Sequence, residues 1–236
     1  MQPNTSRKNL VKGMIFAALA LQGAQALAAD LPSVKEPFVP AALDAGDTPW
    51  FVRLGVAGLL FDSSATIALG GATYPGASAK AGNNVTALFE VGYFATKNIS
   101  VQFTGGYPPT ATLTGAGSLA GFGALGKATY GPAAVTVSWH FKELGAFQPY
   151  VGVGAAYAII FGTSDGVVKN LSIPGAGAFV VQGGADYYLN RNWSLFVDAK
   201  YILLGVNATG NALGQPVVAH VNLDPTVISG GVSYHW

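Results

Sequence analysis

The sequence contains no cysteine and very little charge. With no Cys among 236 residues, disulfide frameworks and thiolate sites are excluded. Asp, Glu, Lys and Arg make up only 10% of the chain, against about 25% in soluble domains. Apolar residues nevertheless reach 50%. This composition indicates a protein that water does not surround on all sides.

Long apolar runs are also missing. After residue 28, no apolar stretch approaches the roughly 20 residues that a membrane-spanning helix needs. High apolar content without a long run is typical of a transmembrane β-barrel, because residues that face lipid alternate with residues that face the lumen. The formal net charge is only +1 and nothing supplies a basic face, so we expect no nucleic-acid partner.

The N-terminus has the features of a secretory signal peptide. Three basic residues precede or flank a short apolar core at Met14–Leu21, and Ala26-Leu27-Ala28 is a small-x-small cleavage site. We therefore predict a signal peptide at residues 1–28; the alternative, an N-terminal membrane anchor, would need a longer core. Residues 29–49 contain four prolines and predict a flexible periplasmic leader, and residues 50–236 the barrel.

The end of the chain shows strand periodicity clearly. Counted back in steps of two, Trp236, Tyr234 and Ile228 belong to a mostly apolar face, whereas Ser233 lies on a face of small or polar residues. Period-two alternation predicts a β-strand, here with lipid outside and a narrow lumen inside. Gly231, Tyr234 and Trp236 resemble the terminal assembly signal that the barrel-insertion machinery reads in bacterial outer-membrane barrels.

The same alternation predicts eight strands. They cover about residues 50–60, 84–94, 99–107, 127–141, 149–161, 176–189, 193–204 and 223–236. The connections alternate between long segments (61–83, 110–126, 162–175 and 205–222) and tight turns. The sequence therefore predicts an all-β fold, an eight-stranded antiparallel transmembrane β-barrel with short periplasmic turns and four long extracellular loops, in a bacterial outer membrane. The alternative, a soluble lipocalin-like barrel, would need charged outer faces.

Several short stretches then match one family in order and spacing. They are Asn98-Ile99-Ser100-Val101, the segment 147–154 (FQPYVGVG), the segment 182–187 (QGGADY), Asn190-Arg191-Asn192-Trp193 and Leu223-Asp224-Pro225. Together they resemble the OmpW family of outer-membrane proteins, which includes the AlkL-type alkane importers. The resemblance implies an eight-stranded barrel that passes small hydrophobic molecules inward, with a side opening in the wall as one route.

Charged residues on the inward faces form a predicted polar plug near the periplasmic end. It comprises Arg53, Glu90, Asp186, Asp198 and Lys200. An eight-stranded barrel is only wide enough for its own side chains or one small ligand, so these charges should pair: Arg53 with Glu90, and Lys200 with Asp198 or Asp186. A packed structural plug and a gate against free diffusion both fit.

Inward residues further from the turns are apolar. We expect Leu88, Ile160, Val180, Ile202 and Leu204 to line the upper lumen. They predict either ordinary core filling or a pocket for an apolar guest.

Two prolines stand at similar heights on adjacent strands. Pro108 and Pro132 each lie about nine or ten residues above the neighbouring turns, and proline cannot donate to a strand ladder. One hypothesis is a lateral portal to the membrane; the other is that both prolines merely end their strands.

Catalytic chemistry is not expected. Ser138 and His140, and again Ser233 and His235, share a strand face, which a lipid deacylase could use. Both pairs lie at the periplasmic end and point inward, away from outer-leaflet lipid. The G-x-G-x-x-G match at 121–126 has no βαβ unit around it. We therefore predict no catalytic residues, no cofactor and no metal.

The resulting functional prediction is a channel for small hydrophobic or amphipathic molecules, with lateral release into the membrane as one route. Its expected partners are outer-membrane lipid, the insertion machinery during assembly and small hydrophobic solutes. The alternative is a non-transporting structural or adhesive barrel that acts through its extracellular loops.

Overall fold

The computed structural model describes residues 49–236. The predicted signal peptide (1–28) and all but the last residue of the predicted leader (29–49) lie outside the described residues. Among residues 49–236, no helix is long and apolar enough to cross a membrane.

The described chain consists almost entirely of strands. In order they are β1 (Trp50–Leu60), β2 (Ser64–Leu69), β3 (Ala72–Thr73), β4 (Ala77–Ala81), β5 (Asn84–Phe94), β6 (Ile99–Gly106), β7 (Thr110–Gly117), β8 (Ala124–His140), β9 (Phe147–Asp165), β10 (Lys169–Ser172), β11 (Ala176–Tyr188), β12 (Trp193–Leu203), β13 (Gly205–Ala212), β14 (Gln215–Asn222) and β15 (Thr226–His235). Two short 3-10 helices, Ala120–Phe122 and Lys142–Leu144, lie between them.

Eight of these strands close a barrel. The order around it is β1, β5, β6, β8, β9, β11, β12 and β15, and β15 pairs with β1 again. Every neighbouring pair is antiparallel. The eight-stranded antiparallel barrel is thus confirmed. We call the end that carries the turns after β5, β8 and β11 the short-turn end, and the opposite end the hairpin end.

The alternation in β1 shows how the sequence builds this wall. Phe51 and Arg53 are buried inside, whereas Leu54 and Val56 are 62% and 63% exposed on the outside. Large apolar side chains cover the outer faces of the other barrel strands in the same way. Exposure of so large an apolar surface to water is unfavourable, whereas contact with lipid is favourable.

The four segments expected to be loops are largely strands, which corrects the loop assignment. Five strands (β10, β13, β14, β2 and β3) form a separate sheet at the hairpin end, and β4 and β7 extend the wall beside β8. The alternation of apolar and polar residues is hard to detect in the sequence of these strands, because Ala, Gly, Ser and Thr occupy both faces. The turns Gly70-Gly71 and Leu213-Gly214 have positive φ at both residues, as the two-residue turns of tight hairpins require.

Two apolar clusters fill the interior toward the hairpin end. The barrel cluster includes Leu59, Leu88, Val180, Phe196 and Ile202. We call β2, β3, β4, β7, β10, β13 and β14 together the hairpin extension. The hairpin cluster lies among these strands and consists of Ile67, Ala77, Ala79, Val217 and Ala219. The polar side chains of the lumen occupy the short-turn end instead.

Candidate functional site: the lumen and its wall

Arg53 is the centre of the polar plug. Its Nη1 lies 2.8 Å from Oε1 of Glu90, and its Nη2 lies 2.7 Å from Oδ2 of Asp186. Nη1 also donates to the Tyr150 hydroxyl at 3.1 Å. The guanidinium carbon stands 5.2 Å from the Phe196 ring centroid. One side chain on β1 therefore joins β5, β9, β11 and β12 across the whole lumen, as the planar, forked guanidinium permits.

Lys200 supplies the second cation of the plug. Its Nζ lies 2.6 Å from Oδ1 of Asp198 and 3.3 Å from Oε2 of Glu90. The Tyr150 hydroxyl donates to Asp198 at 2.9 Å. The Arg53–Glu90 and Lys200–Asp198 pairs are thus formed as predicted, whereas Asp186 pairs with Arg53 rather than with Lys200. Five buried charges hold one another in place with little room for solvent.

An uncharged chain of hydrogen bonds fills the rest of this level. The Gln182 amide donates to Oε1 of Gln102 at 2.9 Å, and the Gln102 amide donates to the Ser100 hydroxyl at 2.9 Å. Ser100 contacts Nε2 of His140 at 2.9 Å. These bonds cross the lumen from β11 to β6 and β8. The plug therefore includes side chains from every barrel strand except β15.

An aromatic floor closes the lumen below the charges. Phe51 stands between Phe94 and His235, at 5.4 Å from each ring centroid, and His235 lies 4.9 Å from Tyr188. Lys142, in the short turn after β8, places its Nζ 3.9 Å from the Phe94 centroid. Burial lowers the pKa of Lys142 to about 8, although Asp186 opposes this shift. The charged layer and this aromatic layer therefore lie one above the other across the lumen.

The Ser–His pairs that the sequence suggested are not formed. Ser138 accepts a hydrogen bond from Gln182, while His140 contacts Ser100. The structure instead aligns Ser100, His140 and Asp186, with 3.9 Å between His140 Nδ1 and Asp186 Oδ2. All three side chains are buried, Asp186 is held by Arg53, and no described cavity opens beside Ser100. This arrangement forms part of the packed plug.

The upper lumen is apolar, as expected for most of the residues assigned to it. Leu88, Val180, Ile202 and Leu204 are buried in the barrel cluster. Ile160 is only half-buried and lies outside this cluster. The β8–β9 register shifts between Thr129 and Tyr130, so the alternation of β9 changes phase just above Ile160, which is still less exposed than its neighbours Ile159 and Phe161.

Above the barrel cluster, the hairpin extension encloses an apolar cavity that the sequence reasoning missed. Its volume is about 120 Å³. Its walls come from β2, β4, β7, β8, β10, β13 and β14 and the segments between them, and include Ile67, Leu113, Phe122, Leu171 and Val217. The cavity and the barrel cluster share contacts with Val221. Apolar side chains therefore continue from the hairpin end down to the plug.

The barrel wall has a break at the level of the barrel cluster. The pairing of β6 with β8 ends at Thr104–Ala134. The next backbone bond between the two segments runs from the Tyr130 N–H to the Pro109 carbonyl, at 3.1 Å. In between, Gly105 and Gly106 pair with β5 but have no partner on β8 in the described register.

Both singled-out prolines border this break. Pro108 lies two residues after Gly106, the last residue of β6, whereas Pro132 lies within β8 and pairs with Ala158 of β9. The hypothesis that both prolines merely end strands is therefore wrong for Pro132. Thr104, the last paired residue below the break, donates to Glu90 at 2.6 Å. The break thus begins directly above the charged plug.

The three residues assigned to the terminal signal lie in the closing strand. Tyr234 and Trp236 are exposed on the outer face, and the Tyr234 ring packs edge-to-face against Trp193 with 5.0 Å between the ring centroids, as in the aromatic girdles of membrane barrels. Gly231 packs so closely on β1 that a Cβ would overlap the Leu54 carbonyl. Their role in assembly stays a prediction.

Comparison with known proteins assigns the family. The model of the OmpW family matches residues 45–236. The chain belongs to the OmpW family. The dibenzothiophene metabolism operon protein PahQ of Pseudomonas aeruginosa is 36% identical over 185 residues, which is 78% of this chain and 87% of PahQ. The outer membrane protein AlkL of Ectopseudomonas oleovorans is 33% identical over 166 residues, 70% of this chain and 72% of AlkL.

Solved structures agree with this assignment. The solid-state NMR structure of AlkL in lipid bilayers superimposes with a TM-score of 0.66 at 27% identity, covering 88% of this chain and 95% of AlkL. This OmpW-family barrel therefore resides in the bacterial outer membrane, embedded in lipid. Its short-turn end faces the periplasm and its hairpin end the exterior.

Proposed function

We propose that this OmpW-family barrel passes small hydrophobic or amphipathic molecules from the exterior into the outer membrane, and releases them sideways through the break between β6 and β8. The observation that carries the proposal is the position of the break. It begins at the level where the apolar lumen meets the charged plug, at Thr104 and Ala134. A molecule that descends the lumen meets buried ion pairs below it and an interrupted wall beside it.

The energetics favour the side route over the straight one. An apolar guest in the upper lumen contacts Leu88, Ile202 and their neighbours, which are apolar. To go further, it would have to separate Arg53 from Glu90 and Asp186, and breaking a buried pair costs about 3–5 kcal/mol. Separation of β6 from β8 at Gly105 and Gly106 breaks no ladder bond of the described register.

The relatives support a hydrophobic cargo. PahQ is named for an operon of dibenzothiophene metabolism, and dibenzothiophene is an apolar aromatic molecule. The charged side chains of this chain's lumen pair with one another in the plug, and the upper lumen offers mainly apolar contacts to a guest. An apolar guest of small size fits these surroundings best.

The test is uptake of a radiolabelled alkane or aromatic hydrocarbon by cells with the gene deleted and then restored. We expect slow uptake without the protein, rescue by the wild type, and failure of rescue by Leu88→Asp and Ile202→Asp, which put a charge on the apolar path. Leu88→Phe is the substitute variant in case Leu88→Asp does not fold. It narrows the apolar lumen without adding a charge and should also slow uptake. Heat-modifiable migration on gels reports folding of each variant. Equal uptake with and without the protein contradicts the proposal and favours a structural or adhesive barrel.

The side route has its own test in Pro132. Pro132→Val restores a backbone N–H on β8 beside the break, so pairing with β6 can extend upward. We expect slower uptake by this variant with no loss of folded protein. If folded Pro132→Val takes up the hydrocarbon at the wild-type rate, the proposed side route is wrong. Entry of the hydrocarbon into the apolar lumen is not contradicted by that result.

A further inference from the structure

The β1–β5 ladder changes its character at the hairpin end. Its backbone pairing ends at Leu59–Asn84, although the chain continues upward as β2 on one side and descends from β4 on the other. In the described register, β2 pairs only with β14 and β3, and β4 pairs only with β7. We call the line where β2 and β4 meet the β2–β4 seam.

Side chains replace the missing ladder along this seam. The Phe61 N–H donates to Oδ1 of Asn83 at 3.0 Å, the Ala81 N–H to the Ser63 hydroxyl at 3.2 Å, and the Ala65 N–H to the Ser78 hydroxyl at 3.2 Å. Each bond depends on a rotatable side chain instead of two fixed backbones. Such a junction opens locally with less disruption than a continuous ladder.

The cavity of the hairpin extension lies directly behind the β2–β4 seam. Ile67 and Leu69 of β2 form one side of its lining, and Ala79 and Ala81 of β4 form the other. The same residues that line the cavity therefore border the seam. A separation of β2 from β4 would open the cavity to the exterior.

The other junction of the five-stranded sheet is fastened more firmly. Between β9 and β10, Asp165 accepts from the N–H groups of Asn170 and Leu171 at 3.0 and 3.1 Å. In addition, the N–H groups of Val167 and Val168 donate to backbone carbonyls of residues 124 and 125, at 3.2 and 3.0 Å. The β2–β4 seam has no such backbone bonds among the described residues, so it is the weaker of the two junctions.

We propose that small apolar solutes enter the hairpin-end cavity through the β2–β4 seam, and that the hydroxyl groups of Ser63 and Ser78 hold this seam closed between entries. The proposal rests on the proposed function for its cargo and adds the entrance. The ligand class is a compact apolar molecule of about the size of the cavity, 120 Å³. Ser63 and Ser78 act as positioning residues for the edge strands and need not contact the solute.

The experiment locks the seam with a disulfide. Ser63→Cys with Ala81→Cys places two thiols across it, and the chain has no other cysteine to interfere. Cells that carry this protein are tested for uptake of radiolabelled naphthalene under oxidising conditions and again after reduction. We expect at least a five-fold loss of uptake when the disulfide forms and full recovery on reduction. Undiminished uptake with the disulfide shown to be complete overturns the proposal.

A second variant covers the case in which the disulfide does not form. Ser63→Ala with Ser78→Ala removes both hydroxyl acceptors and should raise the uptake rate several-fold. Ser118→Ala is the matched control, because Ser118 also lies in the hairpin extension and donates to the Pro75 carbonyl at 3.0 Å away from the seam. Equal rates for the double variant and the control contradict the proposal.

The lumen variants separate the two proposals. If Leu88→Asp blocks uptake and the locked seam does not, the entrance is wrong and the proposed function stands. If neither change affects uptake, the proposed function fails and the entrance fails with it.

Discussion

Replacement of Arg53 by methionine tests whether the polar plug is a single electrostatic unit. Methionine keeps much of the side-chain volume but leaves Asp186 without its cation, since the nearest alternative is His140 Nδ1 at 3.9 Å. Glu90 retains Lys200 and Thr104. Because Arg53 and Asp186 are each only 1% exposed, the loss should be that of a broken buried pair, about 3–5 kcal/mol.

The assay is equilibrium unfolding of the purified barrel in guanidinium chloride. With a slope of about 4 kcal/mol per M, a loss of about 4 kcal/mol moves the midpoint down by about 1 M. Arg53→Met combined with Asp186→Asn should recover more than half of this shift, because no isolated carboxylate then remains at that point. Arg191→Met, on the exposed turn after β11, is the control and should change stability by less than about 0.5 kcal/mol.

The outcome that refutes this reasoning is specific. If Arg53→Met shifts the midpoint by less than about 0.25 M, the ion pairs of the plug do not hold it together. Arg53→Met could instead be strongly destabilised while the added Asp186→Asn change recovers none of the lost stability. The loss would then come from packing of the guanidinium on Phe51, Tyr150 and Phe196 and not from charge.

Two further changes test the wall and the hairpin extension. Gly231→Ala should reduce the heat-modifiable, folded fraction, because a Cβ would overlap a backbone carbonyl of β1, whereas Gly183→Ala has its nearest neighbour at 3.8 Å and should fold normally; equal folding contradicts the close approach. Hydrogen bonds from the Leu171 and Asn170 N–H groups lower the pKa of the Asp165 carboxyl. The bonds to the ionised carboxylate are therefore complete above the ordinary carboxyl pKa of about 4 and are lost as pH falls through the lower folded value. Asp165→Asn should accelerate hydrogen exchange at the Asn170 and Leu171 amides at pH 7, and unchanged exchange would show that this carboxylate does not order the hairpin.

The wall of the barrel was predictable because lipid and a narrow lumen impose opposite demands on alternate residues. Arg53 had to face inward, since an arginine on the lipid face costs roughly 2–4 kcal/mol near the midplane. Once Arg53 was inside, the alternation of β5 put Glu90 beside it, and the register pairs the two residues. The ion pair follows from strand periodicity and charge alone.

Features that depend on three-dimensional register were not predictable. Tyr150 and Phe196 are inward by alternation, but only the stagger of β9 and β12 brings them to Arg53. The sequence also did not reveal that Asp186 pairs with Arg53, because this contact depends on the stagger between strands as well. The register shift just above Ile160 could not be read from the sequence either, because the residues around it are of similar size.

The hairpin extension was hidden by its composition. Small residues occupy both faces of β4, β7 and β13, so the contrast that reveals a strand is absent. The Gly70-Gly71 pair was the available signal, since such a dipeptide between apolar residues predicts a two-residue hairpin turn. The apolar cavity depends on these strands and could not be predicted without them.

The most direct test of lateral release is a disulfide across the upper edge of the break. Thr110 and Thr129 face each other there, with 2.7 Å between their hydroxyl oxygens, so Thr110→Cys with Thr129→Cys can bridge β7 to β8. Ala199→Cys with Ile228→Cys, a paired position on the opposite wall, is the control. We expect the first disulfide to abolish uptake of a radiolabelled hydrocarbon until it is reduced, and the control disulfide to leave uptake intact. If the Thr110→Cys/Thr129→Cys protein takes up the hydrocarbon at the full rate while its disulfide is formed, release through this part of the wall is contradicted.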